Sequence, residues 1–177
     1  MEGIPNDIWR DNCGAVLQDG YIFSDTIANN IAIVNESLDQ KRLIHAARMA
    51  NIEEYITSLP LGFNTKIGNE GQGLSQGQKQ RILIARAIYK NPDFIFFDEA
   101  TNALDANNES QIVRNLNEFF IGKTVVVVAH RLSTVKNADL IIAMQHGRIV
   151  ESGSHNELTE KRGYYYNLVK NQLELGN

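Results

Sequence analysis

The sequence predicts an α/β protein, a partial parallel sheet with flanking helices joined to a mostly helical stretch. Three observations carry that prediction. Residues 124–129, TVVVVA, are an unbroken and largely β-branched run, the pattern of a strand covered on both faces in a parallel sheet. Residues 94–97, FIFF, form a second apolar run that ends directly in Asp98-Glu99. Between residues 24 and 90 the pattern is helical, punctuated by capping signals rather than by strand alternation.

Composition bounds the reading. The chain has 177 residues, the size of one domain and enough to bury a core. Its hydrophobic fraction of 43%, charged fraction of 21% and net charge of −4 are those of an ordinary soluble globular protein. The acidic balance, with no long basic run, argues against a nucleic-acid partner. One cysteine, Cys13, excludes an internal disulfide and fits a reducing compartment. No segment approaches the roughly 18 uninterrupted apolar residues that span a bilayer. The first residues, MEGIPNDIWRDN, lack the basic and apolar regions of a signal peptide. The chain therefore reads as cytoplasmic, able to dock on a membrane protein.

In chain order, residues 1–12 begin without a preceding strand to pack against. Gly14-Ala15-Val16-Leu17 is a short strand ending in the loop signal Gln18-Asp19-Gly20. Ser24-Asp25-Thr26 opens a short helix to about residue 33. Ser37 with Gln40 makes a reciprocal capping pattern and starts a helix to about residue 50, with Leu38, Ile44 and Ala47 on its apolar side. Residues 52–58 form another helix, stopped by Leu59-Pro60, and 62–73 a Gly-rich loop. Ser75 with Gln78 repeats the capping pattern and starts a helix carrying Ile82, Ala85 and Tyr89 (or Ile88) inward. Its cations, Lys79, Arg81, Arg86 and Lys90, read most simply as a solvated face. Asn91-Pro92 stops that helix before the 94–97 strand. Asn107 or Asn108 caps a helix to Phe120, and Gly122 ends it. Residues 140–144 and 148–152 read as a hairpin about His146-Gly147. Ser154 with Glu157 caps a short helix, and residues 164–175 close the chain as a last one.

The chemistry concentrates between Gly73 and Asp105. Gly73 and Gly77 leave the start of the Ser75 helix open to close approach, and a helix start favours negative charge. Asp98-Glu99, at the end of a buried strand, reach the carboxyl edge where α/β sheets bind ligands. In phosphoryl transfer one acidic group holds Mg²⁺ while another orients the attacking water. Asp98 suits the first role and Glu99 the second. Gln18, taken alone, reads as a loop hydrogen-bonder and His130 as structural. Both nevertheless follow strands that would bring them to the same edge.

Those residues, in that order, resemble the ATP-binding domain of an ABC transporter, over nearly the whole chain. Leu74-Ser75-Gln76-Gly77-Gln78 resembles the LSGGQ signature, and residues 94–99 the Walker B strand with its catalytic Glu. Asn102-Ala103-Leu104-Asp105 is similar to the D-loop, His130-Arg131-Leu132-Ser133-Thr134 to the switch-histidine segment, and Gln18 falls in the Q-loop. Residues 149–155, IVESGSH, match the family's closing stretch. The segment WRDNCGAVLQDGYIFSDTIANNI is most similar to the exporter branch.

The resemblance implies a P-loop NTPase-like ABC ATPase core with a helical signature subdomain at 24–90 inside a partial nucleotide-binding domain of residues 1–177. ATP and Mg²⁺ would be the cofactors. Nucleotide would be sandwiched head-to-tail between this domain and a second nucleotide-binding domain, on the cytoplasmic side of a membrane beside the transporter's transmembrane domains. Asp98 would hold Mg²⁺, Glu99 would polarise water, His130 would contact the γ-phosphate, and Gln18 would sense the metal. Ser75, Gln76, Gly77 and Gln78 would meet the partner's nucleotide, with Asp105 coupling the two sites.

The sequence departs from the family in three places. No G-x-x-x-x-G-K-[ST] occurs in the 177 residues. Gly68-Asn69-Glu70-Gly71-Gln72-Gly73 lacks the lysine, so the expectation is a domain cut after its phosphate loop and inactive alone. Gln76 replaces the first Gly of the signature pair. Asn69 stands where exporters usually carry Glu, with Glu70 beside it.

Overall fold

The run at 94–97 is the middle strand of a three-stranded parallel sheet in this computed structural model. The structure describes residues 5–33, 37–68, 71, 73–98, 106–128 and 135–175, apart from the side chains of 106–110 and 172–175. Two compact units result, Met1–Val128 and Ala129–Asn177, each with its own apolar core.

The first unit runs α1 (Asn6–Asn12), β1 (Cys13–Val16), β2 (Asp25–Thr26), α2 (Ile27–Ala32), α3 (Gln40–Met49) and α4 (Glu53–Ser58). A 3₁₀ turn (Gly62–Asn64), β3 (Lys66–Ile67), α5 (Gln76–Lys90), β4 (Phe94–Asp98), α6 (Ala106–Phe119) and β5 (Thr124–Val128) follow. The sheet order is β1-β4-β5, all parallel, with Val16 opposite Phe97 and Asp98 opposite Val128. Strands β2 and β3 form a separate antiparallel pair. The core gathers Val16, Ile95 and Phe97 from the sheet with Ile27, Ile31, Leu43, Ile56, Ile82 and Ile84 from the helices. Helix α5 is its centre. It packs on α2, α3 and β1, and eight of its fifteen residues are buried.

Several elements depart from the sequence expectation. The sheet is parallel but not covered on both faces: Ile95 and Phe97 are buried, whereas Phe96 is 40% exposed, Val126 48% and Val128 54%. Helix α3 is capped by Asp39, whose Oδ1 accepts from the amides of Lys41 and Arg42, and not by Ser37. That start buries Leu43, Ala46 and Ala47 and leaves Ile44 exposed. Helix α6 is already running at Ala106, so Asn107 and Asn108 lie inside it rather than capping it. Residues 6–12 are helical, and the loop 62–73 contains the 3₁₀ turn and β3.

The second unit holds an antiparallel hairpin, β6 (Ile141–Gln145) and β7 (Arg148–Gly153), then α7 (His155–Lys161) and α8 (Tyr164–Leu175). His146 and Gly147 both take positive φ, 51° and 74°, the type I′ geometry whose twist suits a two-residue hairpin. Leu158 and Tyr165 pack on Ile141 and Ala143. Ser154 and Glu157 form the predicted capping box at α7.

Candidate functional site

Two parts of the candidate site lie within the described residues. The first is the carboxyl edge of the sheet. Asp98 is the last residue of β4, and its side chain is exposed. Gln18 follows β1 by two residues, in a turn closed by the Gly20 amide donating to the Leu17 carbonyl at 3.3 Å, and is also exposed. Since Val16 pairs with Phe97 in parallel register, Gln18 and Asp98 leave the sheet at the same edge. A carboxylate and an amide oxygen there are hard donors. That chemistry fits Mg²⁺, which takes one or two carboxylates alongside water and phosphate oxygens. Among the described residues no group of three or more His, Cys, Asp or Glu gathers as a metal cage, and Mg²⁺ does not require one.

The second part is the start of α5. Ser75 Oγ accepts from the Gln78 amide at 3.2 Å, and the Ser75 amide donates to Gln78 Oε1 at 2.8 Å. The capping box predicted from sequence is therefore formed. It takes up the amide at the third helical position and leaves those of Gln76 and Gly77 without an acceptor among the described residues, as a helix start must. Among the described residues nothing lies within 4 Å of where a Cβ on Gly73 would sit, so the chain just before Ser75 is uncrowded there. Ser75 and Gln76 are exposed. Gln78 accepts from its own helix through its carbonyl oxygen, and its NH₂ is the group it could donate to an anionic ligand.

Glu99, Asp105 and His130 lie outside the described residues, as do Asn69 and Glu70. Gln18 and Asp98 come to one edge, and Ser75, Gln76, Gly77 and Gln78 to one helix start.

Sequence reading missed what connects these two parts. The cations of α5 are not all on a solvated face: Lys90 is exposed, but Arg81 and Arg86 are partly buried. Arg86 is partly buried and donates to the carbonyls of Asn30 and Tyr21 at 2.8 and 3.0 Å. Its pKa is pushed down by that burial. Arg81 reaches the carbonyls of Gly77 and Asn51 at 3.3 and 2.9 Å, and Lys90 Nζ the carbonyl of Arg10 at 2.7 Å. A signal was present: Arg86 follows Ile82 by four residues and precedes Tyr89 by three, which places it on the helix's apolar stripe. Asn30, fully buried between Ile27 and Ile31, gave none.

Comparison with known proteins bears on the family and the fold. Residues 3–102 match the ABC transporter family. The exotoxin translocation ATP-binding protein PaxB of Pasteurella aerogenes is 49% identical over 166 residues, covering 93% of this chain and 23% of the relative. The ATP-dependent lipid A-core flippase of Saccharophagus degradans is 48% identical over 164 residues, covering 93% of this chain and 28% of the relative. The structure of a bacterial Atm1-family ABC exporter with ATP bound superposes with a TM-score of 0.87 at 38% identity, over 93% of this chain and 29% of that one. The chain thus spans about a quarter of the length of these relatives. With the family matched over residues 3–102 and the fold over nearly all of the chain, the chain belongs to the ABC transporter family, as its ATP-binding domain.

Proposed function

We propose that these 177 residues are the later part of the ATPase domain of an ABC exporter, coupling Mg²⁺-ATP binding and hydrolysis to movement of a cargo through transmembrane partners. The observation that carries this is the parallel register setting Gln18 and Asp98 on one sheet edge, in a chain whose signature helix begins with two amides that have no acceptor among the described residues. Asp98 and Gln18 would hold Mg²⁺, which would supply positive charge to offset that of the phosphates. Glu99 orients the attacking water and His130 contacts the γ-phosphate. Ser75, Gln76, Gly77 and Gln78 engage the nucleotide of a second, head-to-tail domain, to which Asp105 couples. Residues 24–90 are the helical subdomain that presents them. The domain works at the cytoplasmic face of the membrane. Among its described residues no helix is long and apolar enough to cross one. The relatives' names include an exotoxin translocator and a lipid A-core flippase, so the domain does not dictate the cargo. A peptide is one candidate.

A second reading rests on the complete cap at Ser75 in a chain without a G-x-x-x-x-G-K-[ST] motif. In it the chain supplies only the signature, in trans, to a complete ATPase.

Subunit mixing in the intact protein tests the first reading. Glu99→Gln and Ser75→Glu each lower turnover at least about 100-fold when carried by both subunits. Mixing the two variant proteins recovers a fraction of the wild-type rate, because one of the two composite sites is then whole. Failure of mixed subunits to recover turnover removes the head-to-tail assignment. If turnover persists in Glu99→Gln while Ser75→Glu abolishes it, the signature-in-trans reading holds instead.

A further inference from the structure

We propose that Arg86, acting with Asn30, is a positioning residue. It fastens the segment after Gln18 to the helix that starts at Ser75, so that the two parts of the site move as one body. The inference rests on the ATPase reading above.

The segment 20–25 contributes almost nothing to the sheets, and two side chains satisfy its backbone instead. Asn30 Oδ1 accepts from the Phe23 amide at 2.8 Å, and Asn30 Nδ2 donates to the Phe23 carbonyl at 3.0 Å. The buried amide thus pairs with Phe23 in both directions, as a neighbouring strand would. The same Nδ2 reaches the Thr26 carbonyl at 3.0 Å. Arg86 closes the network from α5. Its Nε donates to the Asn30 carbonyl at 2.8 Å, its Nη1 to the Tyr21 carbonyl at 3.0 Å and its Nη2 to Asn30 Oδ1 at 3.4 Å. The guanidinium lies over the Phe23 ring, 5.5 Å from its centroid. A turn of α5 upstream, Gly20 sits so close to Leu83 that any side chain there would overlap it. Gln18 is the second residue of the turn that Gly20 closes, so its place is set by β1 on one side and α5 on the other.

No carboxylate pairs with Arg86 among the described residues; the acceptors of its hydrogen bonds there are all neutral oxygens. A partly buried charge without a counter-ion is a poor choice for stability, since an apolar side chain would fill the same stripe without desolvation. What an apolar side chain lacks is direction. The planar fork ties two separate backbone segments to one helix at fixed angles. A displacement of α5 on meeting phosphate at its start is then passed to the turn that carries Gln18. Reciprocally, engagement of Gln18 biases the helix start.

The test uses Arg86→Lys in the intact protein, with Arg86→Gln as a second variant should the first fail to fold. A lysine keeps the charge and loses the fork. Amide exchange at Phe23, whose N–H donates to Asn30 Oδ1, rises about tenfold or more, while α3 and α4 keep their protection. kcat for ATP falls about tenfold with KM within about twofold. Gln18→Ala combined with Arg86→Lys is no slower than the slower single variant, because both remove the same contribution. Unchanged exchange at Phe23 overturns the proposal, and so does a double variant whose two losses multiply, the mark of a purely structural Arg86. If Gln18→Ala alone leaves turnover intact, the ATPase role of Gln18 falls, and the exchange measurement still decides whether the fastening exists.

Discussion

Ser75 has two duties that a single substitution separates. Its hydroxyl accepts from the Gln78 amide to cap α5, and it is proposed to meet a partner's phosphate. Ser75→Ala removes the cap and lowers stability by about 1 kcal/mol. Ser75→Asp keeps a capping oxygen and suits the positive end of the helix, so stability holds within about 0.5 kcal/mol. The same carboxylate stands where the phosphate is proposed to bind, and ATP turnover falls at least about 100-fold. Thermal unfolding and turnover measured on the same samples check both. The cap was legible because it is local, four residues long and independent of packing. Arg86 was harder to read, because its meaning lies in Asn30 and Tyr21, more than fifty residues away along the chain.

Glu157 supplies a pH-dependent counterpart to the Ser75 cap. The Ser154 amide, then its hydroxyl, hold its carboxyl below the ordinary value of 4.5. A lowered folded pKa stabilises the native state above 4.5, and that contribution is lost as pH falls through the folded value. Amide protection in α7 therefore declines in acid. Glu157→Gln, which retains an oxygen for the Ser154 amide but has no charge to lose, flattens that decline.

At the scale of elements, local pattern located helices and strands, while tertiary contacts chose their ends and faces. The Ser37–Gln40 spacing is a valid cap pattern, yet α3 begins after Asp39. The Asp39 amide donates to the Tyr89 hydroxyl at 3.1 Å, and Arg42 donates to the Tyr89 carbonyl. Packing on α5 thus fixes where α3 starts and which stripe it buries. The run 124–129 had a similar limit. Five β-branched residues in succession name a strand, but they do not distinguish a sheet covered on both faces from one covered on one. The structure assigns Val127 to the half-buried face and Val126 to the open one. Phe97→Ala, on the covered face, lowers stability by about 3–5 kcal/mol. Val126→Thr, on the open face, changes it by no more than about 0.5 kcal/mol. Denaturant unfolding of the two variants tests the facing directly.

At the scale of the molecule, what sequence conveyed best was the order of the motifs, each of which is short and carries its own chemistry. The division into two units was less legible, because no Pro- or Gly-rich linker and no composition shift marks the boundary after Val128. It follows from burial instead. The apolar cluster around α5 and the small cluster of Ile141, Ala143, Leu158 and Tyr165 have no residue in common. Two cores predict two responses to truncation. Leu158 is fully buried in the smaller cluster, and Leu158→Ala there lowers stability by about 2–5 kcal/mol. With so few neighbours to absorb the loss, it falls on β6, β7, α7 and α8. Ile84→Ala, equally buried in the larger cluster, lowers stability by a similar amount and loosens α2, α3 and α5. Residue-resolved amide exchange separates the two outcomes. If Leu158→Ala raises exchange in α5 as much as in α8, the two cores unfold as one cooperative body and the division at Val128 has no energetic meaning.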